Sequence, residues 1–309
     1  MRDILLSFGL IILAGAAFRR IRPAAIDPDA VRSAINACVL NLFLPALCIK
    51  TLYLADINAE TLLVPATAVI TTLLSLALAT GIYASVGRAF RIAPEEEGVL
   101  LLGAAFGNVT YLGLPVLTGL FGDSSARYAL YYDLLATTPL LWLVGAALAA
   151  RYGGGKGLSV RESLGTIASL PPVWGIFIGM ALHATGFALP VFVLKALDAL
   201  GSVVVPVMIF SIGLALTVPK VNHAYAVIPA LVLKLAIGPA IALVTGHLLG
   251  LRGVALASSG IEGGMPTMVL SLLVAARFRL DISLAAFLIV VSTIISFFSL
   301  PVVIYLTGG

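Results

Sequence analysis

The chain has 309 residues, 61% hydrophobic and only 10% charged, with a formal net charge of +4 and a mean hydropathy of +1.14. A soluble domain carries about 25% charged residues, so the composition excludes one and describes an all-α integral membrane protein embedded in the lipid bilayer. The positive balance is not a nucleic-acid signal, and no nucleic-acid partner is expected, because Lys and Arg sit mostly between apolar runs and form no basic patch with interleaved aromatics.

Ten apolar segments approach the roughly 20 residues that a spanning helix needs. They lie at about 4–18, 31–54, 61–87, 98–121, 126–151, 164–186, 190–216, 224–249, 252–276 and 282–306. The first is short. Its positive charges, Arg19, Arg20 and Arg22, follow the apolar run instead of preceding it, which is the pattern of a first membrane helix and not of a signal peptide. Cys38 and Cys48 share one apolar segment and read as buried thiols. His183, His223 and His247 are scattered, so neither a metal centre nor a cofactor is expected.

The longest polar connection is Tyr152–Glu162, rich in glycine. It divides the chain into a first five-helix half, 1–151, a linker, 152–163, and a second half, 164–309. Gly153-Gly154-Gly155-Lys156 within it is no phosphate-binding loop: Ala150 and Gly157 stand where that motif needs Gly and Ser or Thr. Loops after segments 1, 3, 5, 7 and 9 hold twelve Lys and Arg, among them Arg88, Arg91, Lys156 and Lys220, against five on the opposite face. The positive-inside rule then puts the linker in the cytoplasm and both termini outside a cell membrane.

The halves echo one another. Pro45 in segment 2 is matched by Pro206 in segment 7, and Pro115 in segment 4 by Pro266 in segment 9. Five is an odd number, so the second copy re-enters the membrane from the other side. Two inverted five-helix repeats follow from counting.

Segments 4 and 9 are interrupted. The first interruption carries Gly107, Asn108, Thr110, Tyr111, Gly113 and Pro115; the second carries Gly260, Glu262, Gly263, Gly264 and Pro266. Gly/Pro-interrupted spans at corresponding positions of two halves point to a secondary transporter's binding site. Backbone at membrane depth must face protein or a wet cavity. Pro115 and Pro266 suit the first turn of a new half-helix. Such an end carries roughly half a positive charge and free N–H groups. Two such ends would hold a small carboxylate without an arginine, with hydrogen bonds from Asn108, Thr110 and Tyr111. The bland alternative is that these residues only kink and pack the helices.

Ionisable groups inside the membrane default to functional candidates. Glu262 lies in the second interruption, where it would ligate Na⁺ or exchange a proton, unless it is permanently protonated. Asp133 is the next coupling candidate, though Tyr131 and Tyr132 beside it leave an interfacial position open. Lys234 would pair with a carboxylate or snorkel. Asn41, four residues before Pro45, would line the centre of segment 2 or bond to a neighbouring helix.

At these residues the chain resembles the auxin efflux carrier family, which holds plant auxin exporters and bacterial malate or malonate permeases. The matching pieces are LNLFLPALCIKTL, GNVTYLGLPVL, VVPVMIFSIGLAL and GGMPTMVLSLLVAARFRLD, in order along nearly the whole chain. The plan is also similar to that of bile-acid/sodium symporters. The resemblance implies ten helices with broken helices 4 and 9 crossing at the midplane. It implies a scaffold of helices 1, 2, 6 and 7, a moving transport domain of helices 3–5 and 8–10, and a homodimer. Asn108, Pro115 and Pro266, with Gly113 and Gly264 beside them, would then hold the substrate carboxylate. The short middle loop suggests a prokaryotic member.

The expectation is therefore a secondary carrier of small organic anions, such as auxin-like acids, malate or malonate, working by elevator-type alternating access with Na⁺ or H⁺ as coupling ion. The alternative is a channel or sensor that binds a carboxylate without coupled transport. An enzyme would need a nucleophile–base or metal constellation, and the sequence offers none.

Overall fold

The structure, a computed structural model, describes residues 2–23, 26–90, 92–155, 157–215 and 224–307. Arg91, Lys156, Lys220 and His223, and the side chains of Arg2 and Arg88, lie outside the described residues. The described chain is helical apart from one isolated antiparallel bridge, Gly107 with Thr267.

In chain order the helices are α1 (Arg2–Ile21), α2 (Pro28–Leu54), α3 (Glu60–Phe90), α4 (Pro94–Ala105), α5 (Val109–Phe121), α6 (Asp123–Tyr152), α7 (Val160–Ala168) and α8 (Pro171–Thr185), followed by α9 (Val191–Ala215), α10 (Ala224–Leu249), α11 (Gly253–Gly263), α12 (Leu270–Arg277) and α13 (Ile282–Leu306). Six of them are long and apolar enough to cross a membrane: α2, α3, α6, α9, α10 and α13. The count is seven if α7 and α8 form one span.

Local sequence explains the boundaries. The Asp27 carboxylate caps α2 by accepting from the backbone N–H groups of Asp29 and Ala30, and Asp281 caps α13 through Leu284 N–H. The expected unbroken segment 164–186 is interrupted between α7 and α8. Pro171 and Pro172 follow the gap, and a residue before proline avoids helical ψ; Leu170 is extended, with ψ 115°.

Prolines further inside act differently. Five one-turn π segments occur among the described residues. Four end two residues before a proline: Val39–Phe43 before Pro45, Val109–Gly113 before Pro115, Asp133–Thr137 before Pro139 and Leu233–Ile237 before Pro239. Proline has no N–H and its ring crowds the carbonyl four residues back. A widened turn relieves that crowding without breaking the helix.

The chain divides into two compact bodies. The first gathers Met1–Ile57, Thr110–Leu130 and Ala168–Leu216; the second gathers Asn58–Val109, Tyr131–Ile167 and Thr217–Gly309. Small residues set the packing of the first. A Cβ on Gly15 of α1 would meet the Phe210 carbonyl of α9 at 2.3 Å, and one on Gly213 would meet the Ile12 carbonyl at 2.1 Å. Backbones approach this closely only through glycine, which is how helices associate where lipid removes the hydrophobic drive. In the second body α4 is almost wholly buried, with Leu100, Leu101, Leu102 and Phe106 in the core.

Candidate functional site

The interruption between α4 and α5 is short. α4 ends at Ala105, Phe106 turns extended (φ −95°, ψ 122°), and helical structure resumes at Val109. The interruption between α11 and α12 spans 264–269. Both belong to the second body up to Val109, and there they pair. Asn108 N–H donates to the Pro266 carbonyl at 2.7 Å, and Met268 N–H donates to the Phe106 carbonyl at 2.9 Å. Thr267 N–H donates to Ser292 Oγ at 3.1 Å, and Thr267 Oγ1 donates to the Gly103 carbonyl at 3.0 Å. Each break thus supplies the partners that the other's backbone lacks, as buried amides require.

Pro115 stands in the first turn of the α-helical stretch Leu114–Phe121, whereas Pro266 is not at a half-helix start. Pro115 lies six residues beyond the start of α5, after its π turn. Pro266 precedes α12 by four residues and offers its carbonyl to Asn108. The first turn of α12 is partly closed on itself, since Ser271 and Leu272 N–H donate to Met268 and Val269 carbonyls. Gly264 ends α11 by donating to the Gly260 and Ile261 carbonyls.

Charge collects beside the paired breaks. Lys234, in the π turn of α10 and 4% exposed, donates from Nζ to the Gly263 carbonyl at 2.7 Å. Its amine also lies against the first break, where a Cβ on Gly107 would come within 3.0 Å of Lys234 Cε and Nζ. Lys234 is fully enclosed and does not snorkel.

Glu262, one residue before Gly263, is 1% exposed, and neither carboxylate oxygen has a hydrogen-bond partner among the described groups. Asp133 and Lys234 lie near enough for their charges to act on it. Tyr132 adjoins both Thr71 and Glu262. Ser258, one helical turn before Glu262, also buries a hydroxyl without a hydrogen-bond partner among the described residues. Orphaned buried oxygens are rare enough to need an explanation, and a proton or a small cation at this carboxylate supplies one. Asp133 is 3% exposed, not interfacial, and accepts from Thr138 Oγ1 at 2.8 Å.

Asn108, Gly264, Pro266, Glu262 and Asp133 therefore belong to the second body, with Asn108 2% exposed. Thr110, Tyr111, Gly113, Pro115 and Asn41 belong to the first. Asn41 is exposed and donates to the Ala37 carbonyl of its own helix at 2.8 Å instead of to a neighbouring helix.

Sequence reasoning passed over three features of the first body. Arg32, inside α2, is half-buried near Tyr111 and has a buried Nε without a hydrogen-bond partner among the described residues. Lys50 and Asp198 form an ion pair. They line a cavity of about 690 Å³ together with Pro115, Thr118, Arg127 and Pro206. The only prior signal was that Arg32 and Lys50 fall inside or at the edge of an apolar run.

The sequence profile of a family described as Membrane transport protein matches residues 8–170 and 158–304. The chain is 30% identical over 273 residues, 87% of each chain, to an uncharacterized transporter of Methanothermobacter thermautotrophicus. It is 29% identical over 211 residues, 67% of each chain, to an uncharacterized transporter of Methanocaldococcus jannaschii. With two interlocked breaks and buried charge between several apolar helices, the chain is a multi-pass membrane protein that belongs to this membrane transport family, the auxin efflux carriers whose motifs it bears.

Proposed function

We propose that the protein is a secondary carrier, not an enzyme, that moves small organic anions across a cell membrane by elevator-type alternating access. The observation that carries this reading is the antiparallel pairing of the two breaks, Phe106–Asn108 with Pro266–Met268, against the buried Lys234 amine. Broken helices that meet at membrane depth are the usual site of substrate and coupling ion in secondary transporters. A fixed ammonium beside them favours an anion.

In this reading the shorter helices α1, α4–α5, α7–α8 and α11–α12 complete ten spans as two inverted five-helix repeats, with both termini outside and a homodimer as the assembly. Asn108, Gly264 and Pro266 of the second body contact the anion, while Glu262 and Asp133 serve the coupling ion. The twofold echo of Pro45 with Pro206 and Pro115 with Pro266 supports the repeat.

The test is uptake of a panel of labelled carboxylates into proteoliposomes, with pH and Na⁺ gradients imposed separately. Saturable uptake of one acid, weakened in Asn108→Ala at unchanged assembly, is the expected result. Binding without counterflow would move the protein to the sensor class, and non-saturating conductance would make it a channel.

A further inference from the structure

We infer that Lys234 is a tethered cation, standing in for a coupling metal ion at the end of the first half of the broken segment α11–α12. This deepens the carrier reading above and rests on it.

The last carbonyls of a helix carry partial negative charge. In secondary transporters, unwound carbonyls and half-helix C-terminal ends are where a coupling Na⁺ binds. Here α11 ends at Gly263, and its carbonyl receives the Lys234 ammonium at 2.7 Å. The same carbonyl lies 2.7 Å from the position that a Cβ on Gly238 would take, so α10 covers it from a second side. The ammonium reaches the other break as well, where only the missing side chain of Gly107 leaves it room. One amine therefore bonds the C-terminal end of α11, lies against Gly107 of the first break, and brings positive charge to Glu262.

The position of Lys234 has its own local cause. It sits in the π turn that precedes Pro239, and π turns redirect side chains at functional sites. A point charge on a four-carbon stem suits this task, being compact and strongly attracted to oxygen. An ion tethered this way needs no binding from solution and cannot leave. The carrier's conformational cycle should then be indifferent to Na⁺, with Glu262 left free to exchange a proton.

The experiment is thermal unfolding of the purified full chain in NaCl against choline chloride at equal ionic strength, for the unaltered protein, Lys234→Ala and Lys234→Ser. No substrate is needed, so the outcome is independent of whether any carboxylate is ever found to be transported. The unaltered protein should melt at the same temperature in both salts. Both variants should melt lower in choline and recover part of the loss in NaCl, because Na⁺ that binds only the folded state raises its melting temperature. Na⁺-dependent stabilisation of the unaltered protein would overturn the inference. So would variants whose melting Na⁺ leaves unchanged, or that fold in neither salt.

Discussion

The two breaks contain similar residues and solve different problems. Both mix glycine, a polar side chain and proline in an apolar run. In the first, the gap is only Phe106–Asn108, and its proline works downstream by widening a turn of α5. In the second, the gap covers 264–269, and its proline lies inside it as a hydrogen-bond acceptor. Charge is also distributed unequally. The helix end beside Gly264 has a buried carboxylate and a buried ammonium; at the first break Lys234 supplies charge by reaching across. The comparison teaches that composition marks where a membrane helix fails, while the neighbours decide what the failure is used for.

The largest effect should come from the point where the breaks share a group. Gly107→Val places a Cβ on the Lys234 amine and forces it from the Gly263 carbonyl. Overpacking costs about 1–3 kcal/mol, and a buried carbonyl left unpaired costs about 1–3 kcal/mol more. A melting temperature well below that of the unaltered protein and loss of most uptake are expected. An unaffected melting temperature would mean that the first break is not held by Lys234.

Glu262→Gln comes next and probes the asymmetry of charge. It removes the titrating group while keeping its shape. Coupling free energies run at about 1–3 kcal/mol, so acceleration of uptake by an imposed pH gradient should fall on the order of tenfold, with binding retained. Uptake that still follows the pH gradient would assign proton coupling elsewhere.

Thr267→Val tests the pairing itself, since it deletes the donation from Thr267 Oγ1 to the Gly103 carbonyl. A loss of about 1 kcal/mol in unfolding free energy is expected. No loss would show that the backbone pairing alone joins the breaks.

Pro115→Ala should be among the mildest, at about 1 kcal/mol, because the lost ring is small though buried. It restores an N–H, and amide exchange should show the π turn Val109–Gly113 closing to an ordinary α turn. A π turn that persists would make tertiary packing its cause and not proline.

Much of the site was legible before the fold, for reasons that are local. Glu262 and Lys234 stand out because charge inside an apolar run is costly wherever it lies. The gap at Gly107–Asn108 is legible because glycine there weakens a helix. The same local reasoning put Pro266 at a half-helix start and ran segment 164–186 straight through Pro171, since it could not weigh a widened turn against a true break. Asn41 read as a central polar group, yet it bonds to its own helix.

Sequence by itself determined the membrane class, the places where helices fail and the charges that need partners, because hydropathy and backbone chemistry act within one or two turns. Tertiary structure alone decided that Asn108 pairs with Pro266, that Lys234 joins Gly263 to Gly107, and that Glu262 has no hydrogen-bond partner among the described residues. In each case the two groups are far apart in the chain or the missing partner belongs to another helix. A buried polar group takes whatever donor or acceptor the packing brings near it, and no spacing along the chain specifies which one that is.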